Sequence, residues 1–273
     1  MQAMEAGQAP GEEESLGILR KNLEHLEARI TAACGRSSRP RDSVALLPVV
    51  KYVGPGTLRL LHRVGVRDAG EGTVQGALEK AGALTDLRDL RMHLVGHLQR
   101  NKTKKAMRLF TSIHSLDSLR LAGKMEEELR LLEADEEGVR CVLLPGLPRL
   151  YIEVNIAGEA SKGGVPPTEA PAFLDALRAL PRVTARIAGL MAMAPESDDP
   201  EGARAHFRAL RELRDRLCDG GRLPPGAGLS MGMSSDFPVA VEEGATVVRV
   251  GSRIFQDLPG FEGPPGPGAP PCR

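Results

Sequence analysis

Lys51 ends an apolar run, VALLPVVK (44–51). An amine leaving a hydrophobic strand is partly desolvated, which lowers its pKa and frees it as a nucleophile. Condensation with an aldehyde cofactor or a carbonyl substrate requires that. The plainer reading is a lysine that rests its stem on apolar surface and keeps its amine in water. Far along the chain, SMGMSSDF (230–237) places Ser234, Ser235 and Asp236 after small residues at a helix start. Hydroxyls and free N–H groups there make a ready anion site. Arg249-Val250-Gly251-Ser252 offers a second such loop: Gly251 permits close backbone approach, and Ser252 adds an N–H and a hydroxyl.

Other candidates are weaker. His93 and Gly96-His97-Leu98-Gln99 stand between a strand and a helix, where His97 either offers an imidazole to a ligand or satisfies the helix start. Asn155 ends another apolar run and precedes GEASKGG, a polar loop with Glu159 and Lys162. Such a loop closes over a site or is simply solvated. Arg249, inside an apolar stretch, needs a partner if buried. Glu71, Glu153, a bound phosphate and a ring nitrogen of a bound heterocycle all qualify, and pattern alone does not separate them.

The elements that would position these groups alternate. Short apolar runs at 44–51, 66–71, 91–96, 109–116, 150–155, 186–193, 228–233 and 246–251 are separated by helical stretches at 57–64, 73–83, 99–108, 118–132, 168–180, 201–217 and 235–243. Eight strands alternating with helices predict an α/β fold with a parallel sheet, closed into a single (β/α)8 TIM barrel; a doubly wound open sheet is the alternative. In such a barrel function collects where the strands end. An extra amphipathic helix, with Leu16, Leu19, Leu23, Leu26 and Ile30 on one face and Ser15 as its cap, precedes the first strand. The expected division is a disordered 1–14, a barrel over 15–257 with an insertion at 133–149, and a disordered Pro/Gly tail at 258–273.

Composition narrows the function further. Lys+Arg and Asp+Glu are equal at 36 each, so no global field attracts nucleic acid. Aromatic residues make up 3% with no Trp, which leaves few stacking platforms for single strands. Cys34, Cys141, Cys218 and Cys272 show no CxxC spacing, so neither a disulfide framework nor a metal site is expected. No apolar run reaches the roughly 20 residues of a membrane span. The acidic first residues resemble no secretory or mitochondrial leader. A cytoplasmic monomer without nucleic-acid or membrane partners is the expectation.

Lys51, MHLVGHLQRNK (92–102), IEVNIAGEASKGG (152–164), GLMAM (189–193) and LSMGMSSDFPVAVEEGATVVRVGSRIF (229–255) together resemble the pyridoxal 5′-phosphate (PLP) homeostasis protein family, once described as proline-synthetase co-transcribed proteins. The resemblance runs from about Ser15 to Phe255. It implies an alanine-racemase-like barrel of PLP fold type III without that enzyme's second β domain. It also implies PLP held as a Schiff base on Lys51, with phosphate contacts from Ser234, Gly251 and Ser252. Arg249 then faces the pyridine nitrogen, and Met231, His97 and Asn155 complete the cofactor-binding set. A cation at the ring nitrogen makes PLP a weaker electron sink. The implied role is vitamin B6 homeostasis: binding and delivering PLP, with PLP-dependent apo-enzymes as recipients and no catalytic residue assigned. A racemase would need a second acid/base opposite the lysine, and Tyr52 and Tyr151 are the only tyrosines.

The sequence departs from the family pattern in places. V-K-Y-V-G-P (50–55) stands where S-K-T-K-P is usual, and A-G-E-G-T-V-Q-G (69–76) where F-G-E-N-Y-V-Q-E is usual. Gly72 and Thr73 thus replace an asparagine and a tyrosine, IFQD replaces IFGE, and Pro48 enters the first strand. These changes imply weaker or altered PLP binding, or at the extreme a barrel that has become an interaction scaffold.

Overall fold

The computed structural model describes residues 10–134, 146–159, 163–195 and 197–263. Helix α1 (Pro10–Arg36) comes first. Strands and helices then alternate: β1 (Ala45–Pro48), α2 (Pro55–Arg63), β2 (Asp68–Glu71), α3 (Val74–Ala83), β3 (Arg91–Leu94) and α4 (Thr103–Leu109). β4 (Ser112–Leu116), α5 (Leu119–Ala134), β5 (Arg149–Glu153), α6 (Ala170–Leu177), α7 (Pro181–Thr184) and β6 (Ile187–Met191) follow. The series ends with α8 (Arg204–Asp219), β7 (Gly228–Ser230), α9 (Phe237–Glu242) and β8 (Val247–Val250).

All eight strands pair in parallel, in the order β1-β8-β7-β6-β5-β4-β3-β2. The ring closes where Val49 bridges Gly70 and the Val50 N–H donates to the Gly70 carbonyl at 2.8 Å. This is the expected barrel, and the open sheet is excluded. Strands covered on both faces need continuous apolar runs; helices need one apolar stripe, as on α8, where Phe207, Leu210, Leu213 and Leu217 are buried.

Pro48 fits for a specific reason. The N–H groups of Ala45 and Val49 point to β8, donating to Thr246 and Val250 at 2.8 Å each. Alternation turns the Pro48 nitrogen toward β2 instead. The β1–β2 ladder starts only at Val50, so Pro48 occupies a stretch of seam where no N–H is required.

Several boundaries differ from the expected ones. β1 ends at Pro48, and Lys51 lies in the turn beyond it. The described part of α1 already begins at Pro10, five residues before the expected cap. Ser15 is therefore inside the helix, its hydroxyl donating to the Gly11 carbonyl at 2.8 Å, and caps nothing. The expected 168–180 helix is α6, Ala170–Leu177, and Pro181, which suits a first turn, starts the separate short α7 after it. Of the expected insertion, residues 135–145 lie outside the described ones; Glu133 still belongs to α5, and Arg149 opens β5. The first part of the expected tail is packed: Leu258 is buried, and Phe261 sits 5.4 Å from Phe255, ring centre to ring centre.

α1 lies across α2 and α9, burying Leu16, Leu19, Leu26 and Ile30, with Leu23 half-buried. Its Asn22 amide donates to the carbonyls of Ile254 at 3.0 Å and Gln256 at 2.8 Å, fixing the segment after β8.

Candidate active site and the family it belongs to

The C-terminal ends of the strands surround a cleft of about 730 Å³. Val49, Lys51 and Tyr52 line it after β1, Val95 after β3, Met193 after β6, and Met233, Ser234, Ser235 and Asp236 after β7. Arg249, Gly251 and Ser252 close it from β8, and residues 195 and 197–200 form a further wall. The lysine and both loops expected to bind an anion, far apart in sequence, therefore share one cavity.

Ser234, Gly251 and Ser252 form a compact cradle. The Gly251 N–H donates to Ser234 Oγ at 3.3 Å, and the Ser252 hydroxyl to the same oxygen at 3.2 Å. These long bonds leave donors that a phosphate oxygen can take over. A β-carbon on residue 251 would lie 3.2 Å from the Val49 carbonyl oxygen, so glycine is what lets β8 run this close to the strand that carries the lysine. Asp236 holds the other loop: its Oδ1 accepts the Met233 N–H at 2.6 Å. Burial raises the Asp236 pKa, while those backbone bonds and Arg249 pull it down. The Asp236 side chain, its pKa raised on balance by burial, thus occupies the start of the short α9. The hydroxyl and N–H groups that face one another in the cleft come from the loops carrying Ser234, Gly251 and Ser252.

Lys51 is exposed at the mouth, its Nζ 4.8 Å from the centre of the Tyr52 ring. The desolvation expected of it is absent, because β1 stops short and puts it in a turn. A β-carbon on Gly72 would stand 3.3 Å from Lys51 Cδ. The glycine that departs from the family pattern gives the lysine stem its room.

Arg249 is buried, and its hydrogen bonds go to neither Glu71 nor Glu153. Nη1 donates to the Ser230 carbonyl at 2.6 Å and the Ser230 hydroxyl at 2.7 Å, and Nη2 to the Ala192 carbonyl at 3.0 Å. Burial lowers its pKa to about 10, with Glu153 and Asp236 opposing, so it stays charged at neutral pH. Glu71 is taken by Lys80, in a buried pair at 2.6 Å.

Three residues of the expected set stand apart from the cleft. Met231 is wholly buried in the core, because Gly232, at φ +92°, turns the chain and sends Met233 into the cleft instead. His97 is exposed beside Asp117, at 3.5 Å, and lines a separate depression with Gln99 and Gly164. Asn155 turns back on its own loop, its amide donating to the Glu159 carbonyl at 2.9 Å. Lys162 lies outside the described residues. Met193 and Met233 escaped the sequence reading although both sit in quoted motifs, since nothing in those motifs says which side chain turns inward; Tyr52, weighed there only as a racemase acid/base, also lines the cleft. Tyr151 faces the opposite end of the barrel.

A family model described as alanine racemase, N-terminal domain, matches residues 21–259. A pyridoxal phosphate homeostasis protein of Aquifex aeolicus is 40% identical over 237 residues, covering 86% of this chain and 96% of that one. The chain belongs to the pyridoxal phosphate homeostasis protein family. The bovine protein of that name is 33% identical, with 85% of each chain covered. Among solved structures, PipY of Synechococcus elongatus with PLP bound superposes with a TM-score of 0.70 at 34% identity, over 87% of this chain and 99% of that one. An alanine racemase of Clostridium difficile, 14% identical with a TM-score of 0.64, shares the fold over 58% of its length. The family that the sequence motifs resemble is thus the family shown, with this cleft at the barrel end where the fold places function.

Proposed function

We propose that this chain binds PLP in the cleft, tethered by Lys51 and anchored by Ser234, Gly251 and Ser252, and takes part in PLP homeostasis rather than turnover. Recipients in this reading are PLP-dependent apo-enzymes, and the protein acts as a cytoplasmic monomer. The observation that carries it is the shared cavity: a flexible primary amine on one wall and a cradle of hydroxyl and N–H donors on another. PLP supplies an aldehyde for the amine and a phosphate for the cradle. The apolar contacts from Val49, Val95, Met193 and Met233 suit a planar ring between them.

Binding without strong catalysis is supported by two features. Arg249 is a fixed cation in the cleft wall, with three of its five N–H groups spent on Ser230 and Ala192 and two left for a ligand. A guanidinium beside a pyridine nitrogen opposes ring protonation, and with it carbanion stabilisation. Tyr52 does line the cleft, yet it neighbours Lys51, whereas two-sided proton transfer needs an acid/base on the face opposite the lysine.

Adding PLP to the purified protein should produce an absorbance band, and borohydride should fix the cofactor's mass to the peptide carrying Lys51. Lys51→Ala should abolish both. A wild type that takes up no PLP, by spectrum or by thermal shift, ends the proposal and favours the scaffold reading.

A further inference from the structure

A line of polar side chains crosses the barrel from the strand starts to the cleft wall. Asp68 Oδ1 lies 2.8 Å from His93 Nε2, and His93 Nδ1 lies 2.7 Å from Ser112 Oγ. Ser112 Oγ is 2.7 Å from His114 Nε2, His114 Nδ1 is 2.8 Å from Ser230 Oγ, and that oxygen accepts from Arg249. At its far end, Asp68, His93, Ser112 and His114 line a second cavity of about 270 Å³ among the strand starts. The cleft is at the other end.

The two ends fix one donor order. Asp68 is ionised: burial raises its pKa, but hydrogen bonds from His93 and Arg91 and the charge of Arg91 bring it down to about 2. It only accepts, so His93 carries hydrogen on Nε2. With its one ring proton on Nε2, His93 accepts at Nδ1 from Ser112. Having given its one proton, Ser112 accepts from His114 Nε2, and His114 Nδ1 accepts from Ser230. Arg249, which only donates, finds the Ser230 oxygen free to accept. Every donor has an acceptor. Reversing any one bond strands a hydroxyl hydrogen or opposes two lone pairs in a buried site.

We infer that Asp68 and His93 are positioning residues for Arg249, imposing through Ser112, His114 and Ser230 the single donor order that holds its guanidinium in the cleft wall. The groups facing His114 are Ser112, Ser230, Arg249, His93, Arg149 and the Tyr151 ring, stacked at 4.4 Å between centres.

The test has one arm without cofactor and one that rests on the PLP-binding reading. In PLP-free protein, ¹⁵N-histidine NMR at pH 7 should show His93 and His114 as neutral Nε2–H tautomers. Asp68→Ala should move the ring-nitrogen shifts of His114, although Asp68 does not touch it. A wild-type His114 that is Nδ1–H or charged, or one unmoved in Asp68→Ala, overturns the inference. In the second arm, Ser112→Ala should raise the PLP dissociation constant about tenfold, and Ser112→Thr, which restores a hydroxyl, should bring it back to within about twofold. Equal losses in the two variants overturn it as well. If wild-type protein binds no PLP, the functional reading fails and the tautomers alone decide the relay.

Discussion

A β-carbon on residue 72 would lie 3.3 Å from the Cδ of Lys51, a flexible side chain that can give way. Gly72 has no left-handed φ, so alanine is tolerated by the backbone there. Gly72→Ala should raise stability by about 0.4–1 kcal/mol through the unfolded chain's lost freedom, while crowding the lysine stem. The expected outcome is a higher melting temperature with slower PLP uptake, checked by calorimetry and stopped-flow absorbance. Faster uptake would show that the room beside Lys51 serves no purpose.

Behind that glycine, Lys80 Nζ donates to Glu71 Oε2 at 2.6 Å, and Glu71 Oε1 accepts the Gly72 N–H at 2.9 Å. Both side chains are buried. Lys80→Met should cost about 3–5 kcal/mol, since it strands a carboxylate in the interior. The double variant Lys80→Met, Glu71→Gln should recover much of this in urea unfolding. A single variant within about 0.5 kcal/mol of wild type, the usual range of an exposed change, would show the pair to be solvated.

How much of this was legible beforehand depends on the physics behind each feature. The strands and their order followed from apolar runs alternating with helical stripes, a local signal. Lys51 and the serine and glycine loops could be marked because each residue type carries its chemistry wherever it stands. Met231 was misplaced because a left-handed Gly232 decides which methionine turns inward, and that angle is not written in a pattern of apolar residues. The partners of Arg249 were missed for a related reason: they are two backbone carbonyls and a serine brought together by the sheet register, and carboxylates are the partners that sequence suggests first. His114 drew no notice as one more polar residue in an apolar strand, although it is the midpoint of the buried relay.

His114 also sets a pH limit. Its pKa is held well below the usual imidazole value, first by burial and then by Arg249, His93 and Arg149. In the unfolded chain it protonates near 6.5. Below that pH the unfolded state binds a proton that the native state refuses, so stability falls with acid and is regained as pH rises. The slope from this one group approaches about 1.4 kcal/mol per pH unit. Its window opens above that of Asp68, whose depressed pKa makes its own contribution full above about 4 and lost as pH falls toward 2. His114→Gln should be less stable at pH 7 yet show a shallower fall between about pH 6.5 and 4.5. Denaturant titrations across that range check it, and parallel pH curves would contradict the assignment.

Arg249→Lys is the sharpest probe of the cleft wall. Lysine keeps the charge but loses the planar fork, so one ammonium cannot serve the Ser230 carbonyl, the Ser230 hydroxyl and the Ala192 carbonyl together. Each buried acceptor left unmet costs about 1–3 kcal/mol. The ammonium is also harder to keep charged under the burial that already brings the guanidinium down to about 10. The variant should therefore unfold at lower urea and bind PLP more weakly, and its loss of binding should grow as pH rises and the buried amine discharges. Isothermal titration from pH 6.5 to 9 checks this. A loss of affinity independent of pH would mean that the fork matters and the charge does not.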